Sequence, residues 1–190
     1  MNLFLIYSLT VLLLCIGSRA LNIFPKLPIG PYKMIFKQIS RCESSQNHKI
    51  RHSYYLSYNH KSNVTEIRGS TNSSVLFDDT LFFETNFSFK DENGNWKDNT
   101  LYHKSPNACS SFRRLMGTTW TTVMDGLGFK NATCPILPGI YTASAVDTSL
   151  FSNANIPKTF IYGTFKIRFY YTLKKEVYSC NIVIVEFKPF

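Results

Sequence analysis

Two segments of this chain, 80–90 and 164–172, alternate apolar and polar side chains with a period of two residues. Such alternation is typical of a β-strand that buries one of its two faces. The residues that we expect to point inward are Leu81, Phe83, Phe87 and Phe89 in the first segment and Phe165, Ile167, Phe169 and Tyr171 in the second. The sequence therefore predicts β-strands whose buried faces are strongly aromatic.

Further strand-like segments are separated by short turn signals. Strands are predicted at 50–59, where Tyr54, Leu56 and Tyr58 share a face, at 63–69 and at 177–188. Residues 91–95 and the pair Lys174 and Lys175 have the composition of tight turns, and the proline-rich segment 22–31 is expected to be extended. Short strands at these intervals predict an all-β fold, a two-sheet sandwich.

One segment departs from the strand pattern. Met116, Trp120, Val123 and Leu127 recur at intervals of four, three and four residues, which is helical spacing. Several threonines among them lower the helix propensity. We expect one short, imperfect helix that is held near its start by Cys109.

The first twenty residues have the layout of a secretory signal peptide. An apolar run from Leu3 to Ile16 precedes Ser18 and Ala20, whose small side chains suit a cleavage site after Ala20. The run is too short to span a membrane comfortably. We therefore expect residues 1–20 to be a signal peptide and 21–190 to be a single secreted domain, acting in the extracellular space or in an endolysosome.

Cleavage would remove Cys15 and leave Cys42, Cys109, Cys134 and Cys180. An even number of cysteines in an oxidising compartment predicts two disulfide bonds. Four cysteines allow three pairings, and their spacing does not choose among them. A zinc site is not expected, because no two of these cysteines are close in the sequence.

The chain contains several candidate sites for N-glycosylation. Four Asn-x-Ser/Thr sequons, at Asn63, Asn72, Asn86 and Asn131, predict N-glycosylation and solvent-facing asparagines.

The chain has 21 basic and 12 acidic residues, and loss of Arg19 with the signal peptide leaves 20 and 12, a net charge of +8. This charge favours anionic partners such as lipid headgroups, or serves solubility alone. Nucleic acid is not an expected partner of a secreted protein.

No catalytic or metal-binding constellation stands out. The chain has no Gly-x-Ser-x-Gly elbow and no phosphate-binding loop. His48 and His52 are four residues apart, but their segment is predicted to be strand and turn, so we expect surface histidines rather than metal ligands. The sequence predicts neither an enzyme nor a bound cofactor.

The aromatic content is the remaining prominent feature, with 16 Phe and 11 Tyr residues. On the inward faces of two sheets, such side chains either fill a core or line a cavity where the sheets splay apart. Composition alone favours the packed core.

The second half of the chain contains two motifs that resemble a known family. They are Cys134-Pro-Ile-Leu-Pro-Gly139-Ile-Tyr141, and a segment that runs from Ile156-Pro157 through Gly163-x-Phe165-x-Ile167 to Cys180. Both are similar to signatures of the ML (lipid-recognition) superfamily, nearest to its ganglioside-activator branch and to secreted arthropod-type proteins. The likeness covers nearly all of 21–190 and is strongest from Cys134 onward.

The resemblance implies an immunoglobulin-like, two-sheet cup with an apolar cavity, which binds acyl chains, sterols or glycolipids and has no catalytic residues of its own. It also implies the disulfide pairs Cys42–Cys180 and Cys109–Cys134. The chain departs from the ganglioside activator in having four cysteines rather than eight, and Thr159 stands where that branch has a membrane-probing tryptophan. Glycolipid specificity is therefore not carried over.

Together these features predict a secreted lipid-binding or lipid-transfer protein. The residues expected to line its cavity are Leu56, Leu81, Phe83, Phe87, Phe89, Phe165, Ile167 and Phe169, and those expected at its mouth are Trp120, Val123, Phe160 and Ile161. Lys158, Lys166 and Arg168 are candidates to attract an anionic headgroup or membrane surface. The alternative is a secreted co-receptor or immune-modulating protein that binds a protein receptor and has a filled or vestigial pocket.

Overall fold

The computed structural model describes residues 27–43 and 47–190. The predicted signal peptide, 1–20, lies outside the described residues, as does the first part of the proline-rich segment. The strands are β1 (Ile29–Pro31), β2 (Lys33–Arg41), β3 (Ile50–Asn59), β4 (Val64–Ser73), β5 (Phe82–Lys90), β6 (Trp96–Ser105), β7 (Gly139–Asp147), β8 (Thr159–Ile161), β9 (Gly163–Leu173) and β10 (Glu176–Lys188). The α-helices are α1 (Ala108–Met116) and α2 (Trp120–Gly126), and 3-10 turns span Gly117–Thr119 and Thr148–Asn153.

The strands form three antiparallel sheets. The largest has the order β2-β10-β9-β5-β6, the second has the order β3-β4-β7, and β1 pairs with β8. The two larger sheets pack face to face, since Ile50 and Ile67 from one sheet and Phe83 from the other belong to a single buried cluster. The protein is an all-β sandwich, as the sequence predicted.

The two segments with clear alternation lie side by side in the middle of the five-stranded sheet. β5 and β9 pair so that Phe83 lies opposite Tyr171 and Phe87 lies opposite Ile167, which places all four side chains on the inner face. The outer face of β5 also has a buried residue, because Ser88 is covered and its hydroxyl donates a 2.6 Å hydrogen bond to Asp98. The period of two thus predicted correctly which side chains of β5 and β9 face inward, but it did not predict that Ser88 on the outer face is buried.

The helical segment follows β6 and is divided into two pieces. Cys109 lies in the first turn of α1, as predicted. The break falls at Gly117, which has φ +57, and a Cβ there would lie 2.7 Å from the side-chain nitrogen of Asn155. Only glycine fits this conformation and this close approach without strain. On either side of the break, Met116 and Trp120 are buried against the sandwich.

Two disulfide bonds have the pairing that the family resemblance implied. Cys42 follows β2 and is bonded to Cys180 in β10, with 5.5 Å between their Cα atoms. Cys109 in α1 is bonded to Cys134 before β7, with 5.9 Å between their Cα atoms. The first bond fixes the edge strand β2 to its neighbour, and the second fixes the helical segment to the second sheet.

Candidate ligand-binding cavity

A cavity of about 940 Å³ lies between the two larger sheets. Its walls are mainly apolar side chains from both sheets, from α1 and α2, and from the segment 154–160. Protein interiors are normally close-packed, and small-molecule sites typically measure about 300–1,000 Å³. The aromatic residues of this chain therefore line a ligand-sized cavity as well as filling a core.

Six of the twelve residues predicted to bind a ligand line this cavity. They are Phe83, Phe87, Val123, Phe160, Ile167 and Phe169. Five of them come from β5, β8 and β9, and Val123 comes from α2. The other six, Leu56, Leu81, Phe89, Trp120, Ile161 and Phe165, are not part of its lining.

Three of these six pack into the main core. Leu81 and Trp120 belong to the buried cluster beneath α1 and α2, and Leu56 packs against it. Trp120 is only 3% exposed, and its Nε1 donates a 2.6 Å hydrogen bond to the backbone oxygen of Ala132. The prediction that Trp120 lies at the mouth is wrong, because its indole N–H is bonded inside the fold.

The remaining three lie in or beside a cluster at one end of the cavity, the aromatic end, formed by Phe89, Phe160, Phe165 and Phe187. The ring centroid of Phe160 lies 5.3 Å from that of Phe165 and 4.7 Å from that of Phe187. Phe89 lies 5.2 Å from Phe165 on the same measure. Ile161 packs at the margin of this cluster. The rings of Phe89 and Phe165 thus close the cavity behind Phe160 instead of facing into it.

A polar group inside the cavity was not predicted. This inner polar cluster consists of His52 and Tyr54 on β3, Thr71 on β4 and Tyr171 on β9, all of which line the cavity. Nδ1 of His52 lies 2.7 Å from the Thr71 hydroxyl, which also hydrogen-bonds the Tyr54 hydroxyl. The rings of His52 and Tyr54 stack with 5.4 Å between centroids.

The expectation that His52 is a surface histidine is therefore wrong. The sequence placed Tyr54 and Leu56 on one face of a strand, and the same period of two assigns His52 to that face. The pattern of the strand therefore indicated an inward side chain for His52. His48, which precedes β3, is half-buried outside the cavity lining.

Burial keeps the cluster uncharged at neutral pH. It lowers the pKa of His52 to about 4 and raises the pKa of Tyr54 to about 12. Burial also raises the pKa of Tyr171, with a further contribution from Tyr54. In each case the apolar surroundings disfavour the charged form.

The mouth of the cavity lies along the edge strand β6. The lining residues that are exposed to solvent there and on the facing segments are Leu101, Tyr102, His103, Arg114, Asn155 and Pro157. Leu101 is 51% exposed although its side chain is apolar. Within the described chain, Arg114 is the one Asp, Glu, Lys or Arg residue among the lining residues.

The three cations suggested for headgroup binding lie elsewhere. Lys166 and Arg168 are on the outer face of β9, where their nitrogens lie 3.0 Å and 3.6 Å from Oδ1 of Asp98. Nζ of Lys158 donates hydrogen bonds to the backbone oxygens of Ser152 and Ala154. None of the three lines the cavity. Lys166 and Arg168 alternate with the lining residue Ile167 along β9, so the period of two places them on the opposite face of the strand.

No protein-family model matches this chain, and no curated protein matches its sequence. Among the described residues, no helix is long and apolar enough to cross a membrane. The same residues contain no group of three or more His, Cys, Asp or Glu side chains placed to hold a metal ion.

Proposed function

We propose that this protein is a secreted carrier that binds a lipid or another apolar molecule in the cavity between its two sheets, and that it has no catalytic activity of its own. The observation that carries the proposal is the size and chemistry of the cavity, about 940 Å³ with predominantly apolar walls. Two disulfide bonds are compatible with folding in an oxidising compartment.

The energetics favour an elongated apolar ligand. Burial of each CH₂ group contributes about 0.8 kcal/mol. A chain of about a dozen carbons therefore gains roughly 10 kcal/mol, of which about 6 kcal/mol at most remains after association costs of at least about 4 kcal/mol, a dissociation constant of roughly tens of micromolar. Phe87, Ile167 and Phe169 supply one wall for such a chain, and Ile50, Ile67 and Val123 supply the opposite one.

The mouth suits transfer from a membrane or a micelle. Leu101 and Tyr102 are exposed apolar or aromatic residues at its edge, and the cation Arg114 lies close to the same opening. Apolar side chains combined with a positive charge favour contact with an anionic lipid surface.

The test is native mass spectrometry of the secreted, deglycosylated protein, followed by extraction with organic solvent. We expect an additional mass that is released by the solvent and identified as a lipid in the extract. A protein that carries no such mass, and that also fails to bind a fluorescent fatty acid after extraction, would contradict the proposal. That outcome would favour the alternative, a receptor-binding protein with a vestigial pocket.

A further inference from the structure

We infer that the inner polar cluster binds one uncharged hydroxyl or carbonyl group of the ligand, so that a long-chain alcohol, a sterol or a neutral glyceride enters with its polar group first. This inference rests on the proposed carrier function.

The cluster lies deep in the sandwich. Tyr171 is on β9, the central strand of the five-stranded sheet, and β5 lies between it and the edge strand β6 at the mouth. Thr71 is 1% exposed. Phe77 covers Tyr171, with 4.4 Å between their ring centroids. A ligand atom that enters at β6 and reaches Tyr171 must therefore cross the inner face of β5, where Phe83 and Phe87 line the cavity.

Two polar atoms of the cluster remain free to bind a ligand. Among the described residues, neither Nε2 of His52 nor the Tyr171 hydroxyl has a hydrogen-bond partner, whereas Nδ1 of His52 and the Tyr54 hydroxyl both contact Thr71. If Tyr54 donates to Thr71, the Thr71 proton is directed to Nδ1, and Nε2 of His52 then carries a hydrogen. Both atoms keep surface that faces the cavity, because the buried side-chain atoms without partners among the described residues are Nδ1 of His48 and Oδ1 of Asn86. A polar atom on an apolar wall gains from a hydrogen bond, so this end of the cavity favours a ligand oxygen over a methyl group.

The charge of the cluster selects against an anionic ligand group. No Lys or Arg is among the described residues that line this end, and the one lining cation, Arg114, is exposed at the mouth. The low pKa of His52 keeps its imidazole neutral. A carboxylate or phosphate would lose its hydration there without gaining a counter-ion. Anionic groups should therefore stay at the mouth, and a neutral oxygen should go inward.

The experiment compares three probes with the same 16-carbon chain: 1-hexadecanol, hexadecane and hexadecanoate. Each is delivered from cyclodextrin at pH 7.5, and its affinity is measured by displacement of a fluorescent apolar dye. The variant Tyr171→Phe removes one hydroxyl from the cluster, and Thr71→Val removes the hydroxyl that holds His52 and Tyr54. Tyr170→Phe is the matched control, because Tyr170 is adjacent in sequence but lies outside the cavity lining.

We expect Tyr171→Phe and Thr71→Val to weaken hexadecanol binding about 3- to 10-fold, the usual size of one hydrogen bond. Hexadecane and hexadecanoate should be unaffected, and Tyr170→Phe should change none of the three affinities. If all three probes weaken equally in the variants, or if hexadecanol does not weaken, the inference is overturned while the carrier function stands. If no probe displaces the dye from the unmodified protein, the proposed function fails, and the inference fails with it.

Discussion

The indole nitrogen of Trp120 donates a hydrogen bond of 2.6 Å to the backbone oxygen of Ala132, two residues before Cys134. This bond joins α2 to the same loop that the Cys109–Cys134 disulfide fixes to α1. The helical segment is thus attached to that loop at two points. Because helix and loop form part of the cavity wall, their attachment contributes to the shape of the cavity.

Replacement of Trp120 by Phe should therefore reduce stability without changing ligand affinity. The variant loses one buried hydrogen bond and part of a buried ring, which we expect to lower the free energy of unfolding by about 1–3 kcal/mol. Chemical denaturation measures the loss, and dye binding measures the affinity. A loss of affinity in a folded variant would place Trp120 on the ligand pathway after all.

The two disulfide bonds should differ in their contributions to stability. Cys42–Cys180 closes a sequence separation of 138 residues, and Cys109–Cys134 closes one of 25. In the chain-entropy treatment, these loops correspond to about 5 and about 3.5 kcal/mol. The double variant Cys42→Ser with Cys180→Ser should thus unfold at a lower denaturant concentration than Cys109→Ser with Cys134→Ser. The reverse order would show that native contacts, not loop length, decide the difference.

Substitutions of Phe87 and Phe165 should distinguish a side chain that contacts the ligand from one that only packs in the core. Phe87 lines the cavity, whereas Phe165 is 2% exposed within the aromatic end and does not line it. We expect Phe87→Ser to weaken binding of a fluorescent fatty acid at least tenfold in a folded protein. Phe165→Ser should instead lower the melting temperature, because it removes a fully buried ring. Equal effects of both changes on the two measurements would contradict the assignment of these side chains.

Stability should fall as the pH drops from about 6.5 to about 4, and His52 should account for much of the change. Its pKa is lowered by burial to about 4 in the folded protein, whereas an unfolded chain has an ordinary histidine pKa near 6.5. Protons therefore bind preferentially to the unfolded state in this interval, and the stability that is fully present above pH 6.5 declines by up to about 3 kcal/mol.

The variant His52→Gln should lose most of this dependence between pH 6.5 and 4.5. Burial also lowers the pKa of His48, which stays in both proteins and cancels in the comparison. Carboxyls such as Glu66, whose pKa is lowered by hydrogen bonds from Asn59 and Arg68, act only at more acidic pH. Denaturant melts at half-unit steps provide the measurement, and parallel curves for the two proteins would show that His52 is not responsible.

The four sequons should not be equally occupied. Asn63 and Asn131 are exposed. Asn86 is half-buried in β5, where its Nδ2 donates a 2.7 Å hydrogen bond to Asn99 and its Oδ1 is buried. We expect glycans on Asn63 and Asn131, and no loss of glycan mass in the variant Asn86→Gln. The matched variant Asn131→Gln should lose one glycan by intact-mass measurement, and a glycan mapped to Asn86 would contradict this prediction.

The sequence by itself determined the strands β3, β4, β5, β9 and β10 and the sidedness of the central strands, but it did not predict β2, β6 or β7. A period of two is a local property, because successive side chains of a strand point to opposite faces whatever the strand pairs with. For this reason the inner positions Phe83, Phe87, Ile167 and Phe169 could be predicted before any sheet was known. The disulfide pairing could not be derived in this way, because spacing leaves three pairings open, and it came from resemblance to a family.

Only the tertiary structure decided which inner residues line a cavity and which fill the core. Phe165 and Phe169 lie on the same face of the same strand, yet Phe165 is covered by Phe89 and Phe160, whereas Phe169 lines the cavity. The inner polar cluster arises in the same way, since Tyr171 meets His52 only when the two sheets are packed. The distance between two sheets depends on all the side chains between them at once, and no local pattern contains that information.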